Sequence, residues 1–187
     1  MGIPSGYTSA QVVQAVPVIT TSGLVCVKAE TAFSAVSSFQ ADSVFTSTYT
    51  NYLILIDTAN SADSQMQLQF RASGSTTSTN YNYNNYQAAA AMSAGGYNVN
   101  QSFMYINQNG GNSVIGYVQL NIFSPQLATR TGVIASNLRF DGSYSTPIRQ
   151  GFAGNQNSAT QFDGFIVTLA GGTATGSYTI YGYSKTV

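Results

Sequence analysis

The chain has 187 residues, six basic and six acidic side chains, a formal charge of zero, and only 6% charged residues where a globular chain typically carries roughly 25%. Histidine is absent and Cys26 is the only cysteine, which excludes a disulfide framework, a Cys-based zinc site and any Ser/His or Cys/His nucleophile system. Scattered single cations cannot supply the dense phosphate contacts of a nucleic-acid binder, and charge this low favours self-association.

The length suits one domain with its own core. Met1 to Gly6 lack a basic segment followed by an apolar core, so export through a signal peptide is not expected. No apolar run approaches the roughly 18 residues that span a bilayer, and no membrane partner is expected. Residues 1–20, with Pro4 and Pro17 and weak patterning, read as an extended arm for docking on a neighbour, and residues 21–187 as the folded domain.

Thr, Tyr, Val, Ile, Phe, Ser and Asn dominate every window, and 18 glycines punctuate them, a strand-and-turn composition. The first predicted strand runs from Gly23 to Lys28, where Cys26 in an apolar run reads as a buried, inert thiol. The next is Asn51 to Ile56, followed after a hairpin connection by Gln65 to Phe70, in which Met66, Leu68 and Phe70 alternate with glutamines. Asp57 and Asp63 flank that connection. No metal is expected, but if a calcium ion is held, these two are the candidate ligands.

Residues 71–98 read as a long loop. Within it, Asn80, Tyr81, Asn82, Tyr83, Asn84, Asn85 and Tyr86 form the candidate receptor or subunit contact, because tyrosine rings stack on sugar faces and asparagine amides satisfy hydroxyls. Ala88 to Met92 could form one helical turn before Gly95-Gly96 ends it.

Strands follow at Ser102 to Ile106, Tyr117 to Ile122, Ile134 to Phe140, Gly164 to Leu169 and Ser177 to Tyr183, with an Asn-Gly hairpin expected across Asn107 to Asn112. The glycines from Gly171 to Gly176 lack phosphate-loop spacing and read as a turn. About eight strands bury their apolar faces economically as an all-β, antiparallel two-sheet sandwich of jelly-roll type. Alternation puts Leu53, Leu55, Leu68, Phe70, Val118, Leu120, Phe165, Val167 and Ile180 in its interior.

The six acids, Glu30, Asp42, Asp57, Asp63, Asp141 and Asp163, leave paired-carboxylate glycoside cleavage as the one enzymatic route, with Asp141 and Asp163 as the pair to test. Most sit beside turn residues, where carboxylates serve as caps, so no enzyme and no cofactor is expected.

The segment Ser43-Val44-Phe45-Thr46-Ser47-Thr48-Tyr49-Thr50-Asn51-Tyr52-Leu53-Ile54-Leu55-Ile56-Asp57, then Leu68 to Gly74, then Gln161-Phe162-Asp163-Gly164-Phe165 and Thr175 to Tyr183, resembles the small virion proteins of tailed phages, their fibre-tip and head-decoration modules. The resemblance spans most of residues 23–187. It implies a jelly-roll domain, commonly a homotrimer, on the outer surface of the virion, attached to other virion proteins through an amino-terminal arm. The expected role is a tail-fibre or receptor-binding module that meets a bacterial surface glycan; the alternative is a capsid decoration protein, and a carboxylate-dependent polysaccharide depolymerase comes third.

Overall fold

A computed structural model describes residues 23–62, 64–88, 92–108, 114–140 and 147–185. Every regular element among them is a strand: β1 (Leu24–Val36), β2 (Ser38–Ala41), β3 (Asn51–Asn60), β4 (Gln65–Ala72), β5 (Ser75–Thr76), β6 (Tyr81–Ala88) and β7 (Met92–Ala94). The chain continues as β8 (Asn98–Gln101), β9 (Met104–Gln108), β10 (Val114–Phe123), β11 (Thr131–Phe140), β12 (Ile148–Gln156), β13 (Gly164–Leu169) and β14 (Ala174–Tyr183). The expected arm, residues 1–20, lies outside the described residues.

The strands form a two-sheet antiparallel sandwich. The large sheet runs β1-β14-β3-β10-β11-β12-β6-β7, with β8 also on β6, and the small sheet runs β2-β13-β4-β5, with β9 also on β4. Two expected hairpins do not exist. The connections from β3 to β4 and from β9 to β10 each cross from one sheet to the other, because both flanking strands need the sandwich interior for one apolar face and find better partners than each other.

Tyr52, Ile54 and Ile56 of β3, Val118, Leu120 and Ile122 of β10, and Tyr178 and Ile180 of β14 pack against Met66, Leu68 and Phe70 of β4 and Phe165 and Val167 of β13. Phe45 and Phe162, from connections, complete an aromatic cluster: Phe162 stacks on Phe70 at 5.1 Å between ring centres and Phe45 on Phe165 at 6.1 Å. Such pairs contribute about 0.5–1.5 kcal/mol each beyond their buried area.

Seven of the nine expected core residues face this interior. Leu55 does not: it is 40% exposed on the outer face, and Leu53, although buried, shares that face. Cys26 is exposed as well, since β1 is the edge of the large sheet and pairs Cys26 beside Tyr181. The stretch expected to be one long loop holds β5 to β8 instead, and both ends of the expected helical turn are strand, at Ala88 and at Met92.

One end of the core is polar. Thr58, Asn60, Asn107, Asn137, Arg139 and Gln150 are all buried there. Asn137 donates to the Ile106 carbonyl at 2.9 Å, tying the large sheet to β9, and Thr58 donates to Asn60 at 2.9 Å. A buried amide bonded across strands, as Asn137 is, fixes one register, because a slipped strand would break that bond in a medium that penalises the loss.

Three buried tyrosines give the fold a pH signature. Burial pushes the hydroxyls of Tyr81, Tyr83 and Tyr178 above the ordinary tyrosine value, Tyr83 to about 12 with the Tyr105 ring beside it adding to the rise. The folded chain then holds protons that the unfolded chain releases, so stability from these groups is intact below the unfolded value and is lost as pH rises through the folded one. We expect a denaturant midpoint unaffected by these groups up to about pH 10 and falling between about 10 and about 12. A midpoint that stays level through that window while phenolate absorbance develops would contradict their burial.

Candidate functional site

The Asn/Tyr segment is β6, and its residues divide by face. Tyr81 and Tyr83 point inward and are 1% and 3% exposed. The Tyr81 hydroxyl accepts the Phe70 N–H at 2.7 Å and donates to the Thr77 carbonyl at 3.0 Å, so this ring is a bracket between β4 and the connection that leads to β6. These two tyrosines are therefore core, and the expectation that the whole segment forms an exposed contact loop is corrected accordingly. The period of two was visible in Tyr81-Asn82-Tyr83-Asn84, where alternating aromatic and amide side chains are what a half-buried strand requires.

What remains outside is Asn82, Asn84 and Tyr86. Asn82 accepts the Asn100 N–H at 2.9 Å and so holds β8 against β6. Tyr86, 40% exposed, lies over Gly151 of the neighbouring strand, whose missing side chain leaves room for the ring. Asn80 adopts a left-handed φ of 65°, which asparagine tolerates, and its carbonyl accepts the Asn157 N–H at 2.8 Å. Beyond β7, Tyr97 is 71% exposed and Val99 47%, the most open large apolar groups on this edge among the described residues.

A second surface was not foreseen. Register across β14, β3, β10, β11, β12 and β6 aligns side chains in rows on the outer face of the large sheet. One row reads Ser177, Asp57, Tyr117, Leu138, Arg149, Ala88; the next reads Thr179, Leu55, Gln119, Ser136, Gly151, Tyr86; the next reads Tyr181, Leu53, Asn121, Ile134, Ala153, Asn84. Leu55, Tyr86, Tyr117, Ile134 and Leu138 on these rows are each at least 36% exposed, and Phe123 and Tyr183 extend the set. Across the molecule, the outer face of the small sheet presents Gln65, Gln67, Gln69 and Arg71 from β4, the ordinary polar exterior.

A groove of roughly 570 Å³ lies in this apolar face, walled by Glu30, Asp57, Tyr117, Gln119, Leu138 and Arg149 among others. Of the six carboxylates considered for acid–base chemistry, it gathers Glu30 and Asp57. Asp42 instead pairs with Arg71 at 2.6 Å, and Asp163 accepts the Ser73 N–H at 3.0 Å, both bracing the β4–β5 corner. Asp141 and Asp63 lie outside the described residues, so neither the Asp141–Asp163 pair nor the Asp57–Asp63 pair is assembled among them. No cluster of three metal-ligating side chains occurs among the described residues.

The sequence reading places Leu53 and Leu55 in the interior and leaves Tyr117, Ile134 and Leu138 without a shared face, because no single strand shows which residues its neighbours set beside it. No family model matches the sequence, and no curated protein or solved structure is significantly similar to it.

Proposed function

We propose that the chain is a non-enzymatic structural module of a tailed-phage virion, a tail-fibre unit that works as an assembly of identical copies and attaches to the host surface. The observation that carries this reading is the strand order. β1-β14-β3-β10 faces β2-β13-β4-β9, and the chain passes from one sheet to the other at β1 to β2, β2 to β3, β3 to β4, β5 to β6, β8 to β9, β9 to β10, β12 to β13 and β13 to β14. That interleaving supports reading the domain as an eight-strand jelly roll, an architecture used by capsid and lectin domains. Here it carries two elaborations: β5 to β8 between the fourth and fifth strands, and β11 and β12 widening one sheet.

The charge-poor surface supports assembly, because little repulsion opposes close approach of copies. The β6–β8 edge supports attachment: Tyr97 with the nearby Asn98 and Asn100 offers an aromatic platform and amides, the chemistry that meets a sugar.

The deciding experiment is quantitative mass spectrometry of purified phage particles that encode the chain. A copy number on the scale of the tail proteins is expected. A copy number on the scale of the major capsid protein would replace the fibre reading with head decoration, and absence from the particle would end the virion reading.

A further inference from the structure

We propose that the outer face of the large sheet is the contact between copies of this chain, with Asp57 of one copy set against Arg149 of the next. The inference rests on the reading of the chain as a self-assembling module, and it names the surface.

The first ground is the asymmetry of the two sheets. A sandwich is expected to be polar outside both sheets, and β4 and β2 of the small sheet are, with Gln65, Gln67, Gln69 and Gln40 flanking a half-buried Ile166. The outer face of the large sheet departs from this: among its polar residues Tyr117 lies directly opposite Leu138, Leu55 stands one step along the next strand, and Ile134 lies two rows away on β11, at 47%, 36%, 40% and 50% exposure. Scattered apolar side chains need no explanation, but Leu55, Tyr117 and Leu138 meet along the groove, and such a set on one face marks an interaction surface. Leaving it in water would cost the chain solubility without a compensating charge, because the whole molecule has only twelve charged side chains.

The second ground says what covers the face. Asp57 on β3 and Arg149 on β12 lie in the same row, on opposite flanks of Tyr117 and Leu138. Both are exposed, and the one ion pair among the described residues is that of Arg71 with Asp42. Three strand spacings separate them, about 14 Å, far beyond pairing distance within one copy. Glu30 from β1 adds a second carboxylate on the Asp57 flank of the groove. One face therefore carries both halves of a complementary pair around an apolar centre, and a second copy seated on it covers the apolar strip while matching acid to base. A partner of one dominant charge would satisfy only one flank.

The test uses the full chain in native mass spectrometry and sedimentation. The wild type should be an oligomer. Asp57→Arg and Arg149→Asp should each weaken it about tenfold or more, and the double variant should restore most of the loss, since close interfacial charge pairs couple at that scale or above. Circular dichroism checks that each variant keeps its strand signature. Leu138→Glu, which adds a charge at the centre, should dissociate the oligomer without unfolding the chain.

A monomeric wild type would overturn the proposal and hand the face to a different protein. An oligomer indifferent to the single reversals and to Leu138→Glu would also overturn it, by placing the contact on another surface while leaving the virion reading intact. Singles that weaken and a double that fails to restore would overturn the Asp57–Arg149 pairing. Particle stoichiometry, measured separately, tests the virion reading without reference to this face.

Discussion

Phe70→Ala is expected to remove about 3–5 kcal/mol of stability, enough to threaten folding of a domain whose total is about 5–15 kcal/mol. Phe70 is fully buried on the inner face of β4. Its ring stacks on Phe162 at 5.1 Å and on Tyr81 at 6.3 Å between centres, and meets the edge of Phe45 at 6.4 Å. These partners come from the connection before β13, from β6 and from the connection after β2, so the cavity left by truncation has walls on independent parts of the chain. Such walls cannot collapse together, which puts the cost toward the upper end. The backbone of Phe70 also donates to the Tyr81 hydroxyl, and a Tyr81 ring that tilts into the cavity would lose that bond.

Urea unfolding followed by far-ultraviolet circular dichroism measures the loss. Gln67→Ala, on the outer face of the same strand, is the reference and should stay within about 0.5 kcal/mol of the wild type. Equal effects from the two changes would mean that β4 does not divide core from solvent as described.

The contrast between Phe70 and Leu55 shows how far periodicity carries. In β4 each apolar residue is followed by a polar one, and the inward face can be read directly: Met66, Leu68 and Phe70 are all buried. In β3 the run Tyr52-Leu53-Ile54-Leu55-Ile56 is apolar throughout, so alternation has no phase, and a choice off by one residue exchanges the faces. The phase was available four residues on. Asp57 is in step with Leu53 and Leu55 and exposed, which turns Tyr52, Ile54 and Ile56 inward.

The candidate site was less legible for a related reason. Tyr117, Ile134 and Leu138 each read as ordinary members of a strand, and only the pairing of β10 with β11 sets Tyr117 beside Leu138. A patch is a property of register between strands distant in sequence, and single-strand patterns do not contain it. Conversely, the Asn/Tyr segment drew notice through composition, although composition says nothing of which ring faces in. β12 escaped notice because Arg149-Gln150-Gly151-Phe152-Ala153-Gly154 is too rich in glycine for strand propensity. Pairing with β11 on one side and β6 on the other overrides that propensity, and Tyr86 over Gly151 supplies the packing that the glycine lacks.

Gly176→Val is expected to abolish soluble folding, and Gly176→Ala to destabilise by about 3 kcal/mol or more, at the top of the range for overpacking. Gly176 lies in β14 with Thr58 of β3 on one side and Phe33 of β1 on the other. A Cβ there would overlap the Asp57 carbonyl and sit 2.9 Å from the Thr58 Cα, both backbone atoms of the adjoining strand. A flexible side chain could swing away, but a paired strand cannot move without giving up its ladder, and β14 is the strand that joins β1 to the rest of the large sheet. Gly171, five residues earlier, has no neighbour within 4 Å of where its Cβ would be, so Gly171→Ala should stay within about 0.5 kcal/mol of the wild type. Gly172 between them is held at a φ of 68° with Ser61 and Ala62 close by, and a side chain there would meet conformational strain first. A glycine cluster that reads as one turn thus divides into an open position, a left-handed position and a close strand contact. Thermal melts of the two alanine variants distinguish the last from the first: if Gly176→Ala melts with Gly171→Ala, β14 and β3 are not pressed together at Asp57, and the seat of Asp57 on the outer face is wrong as well.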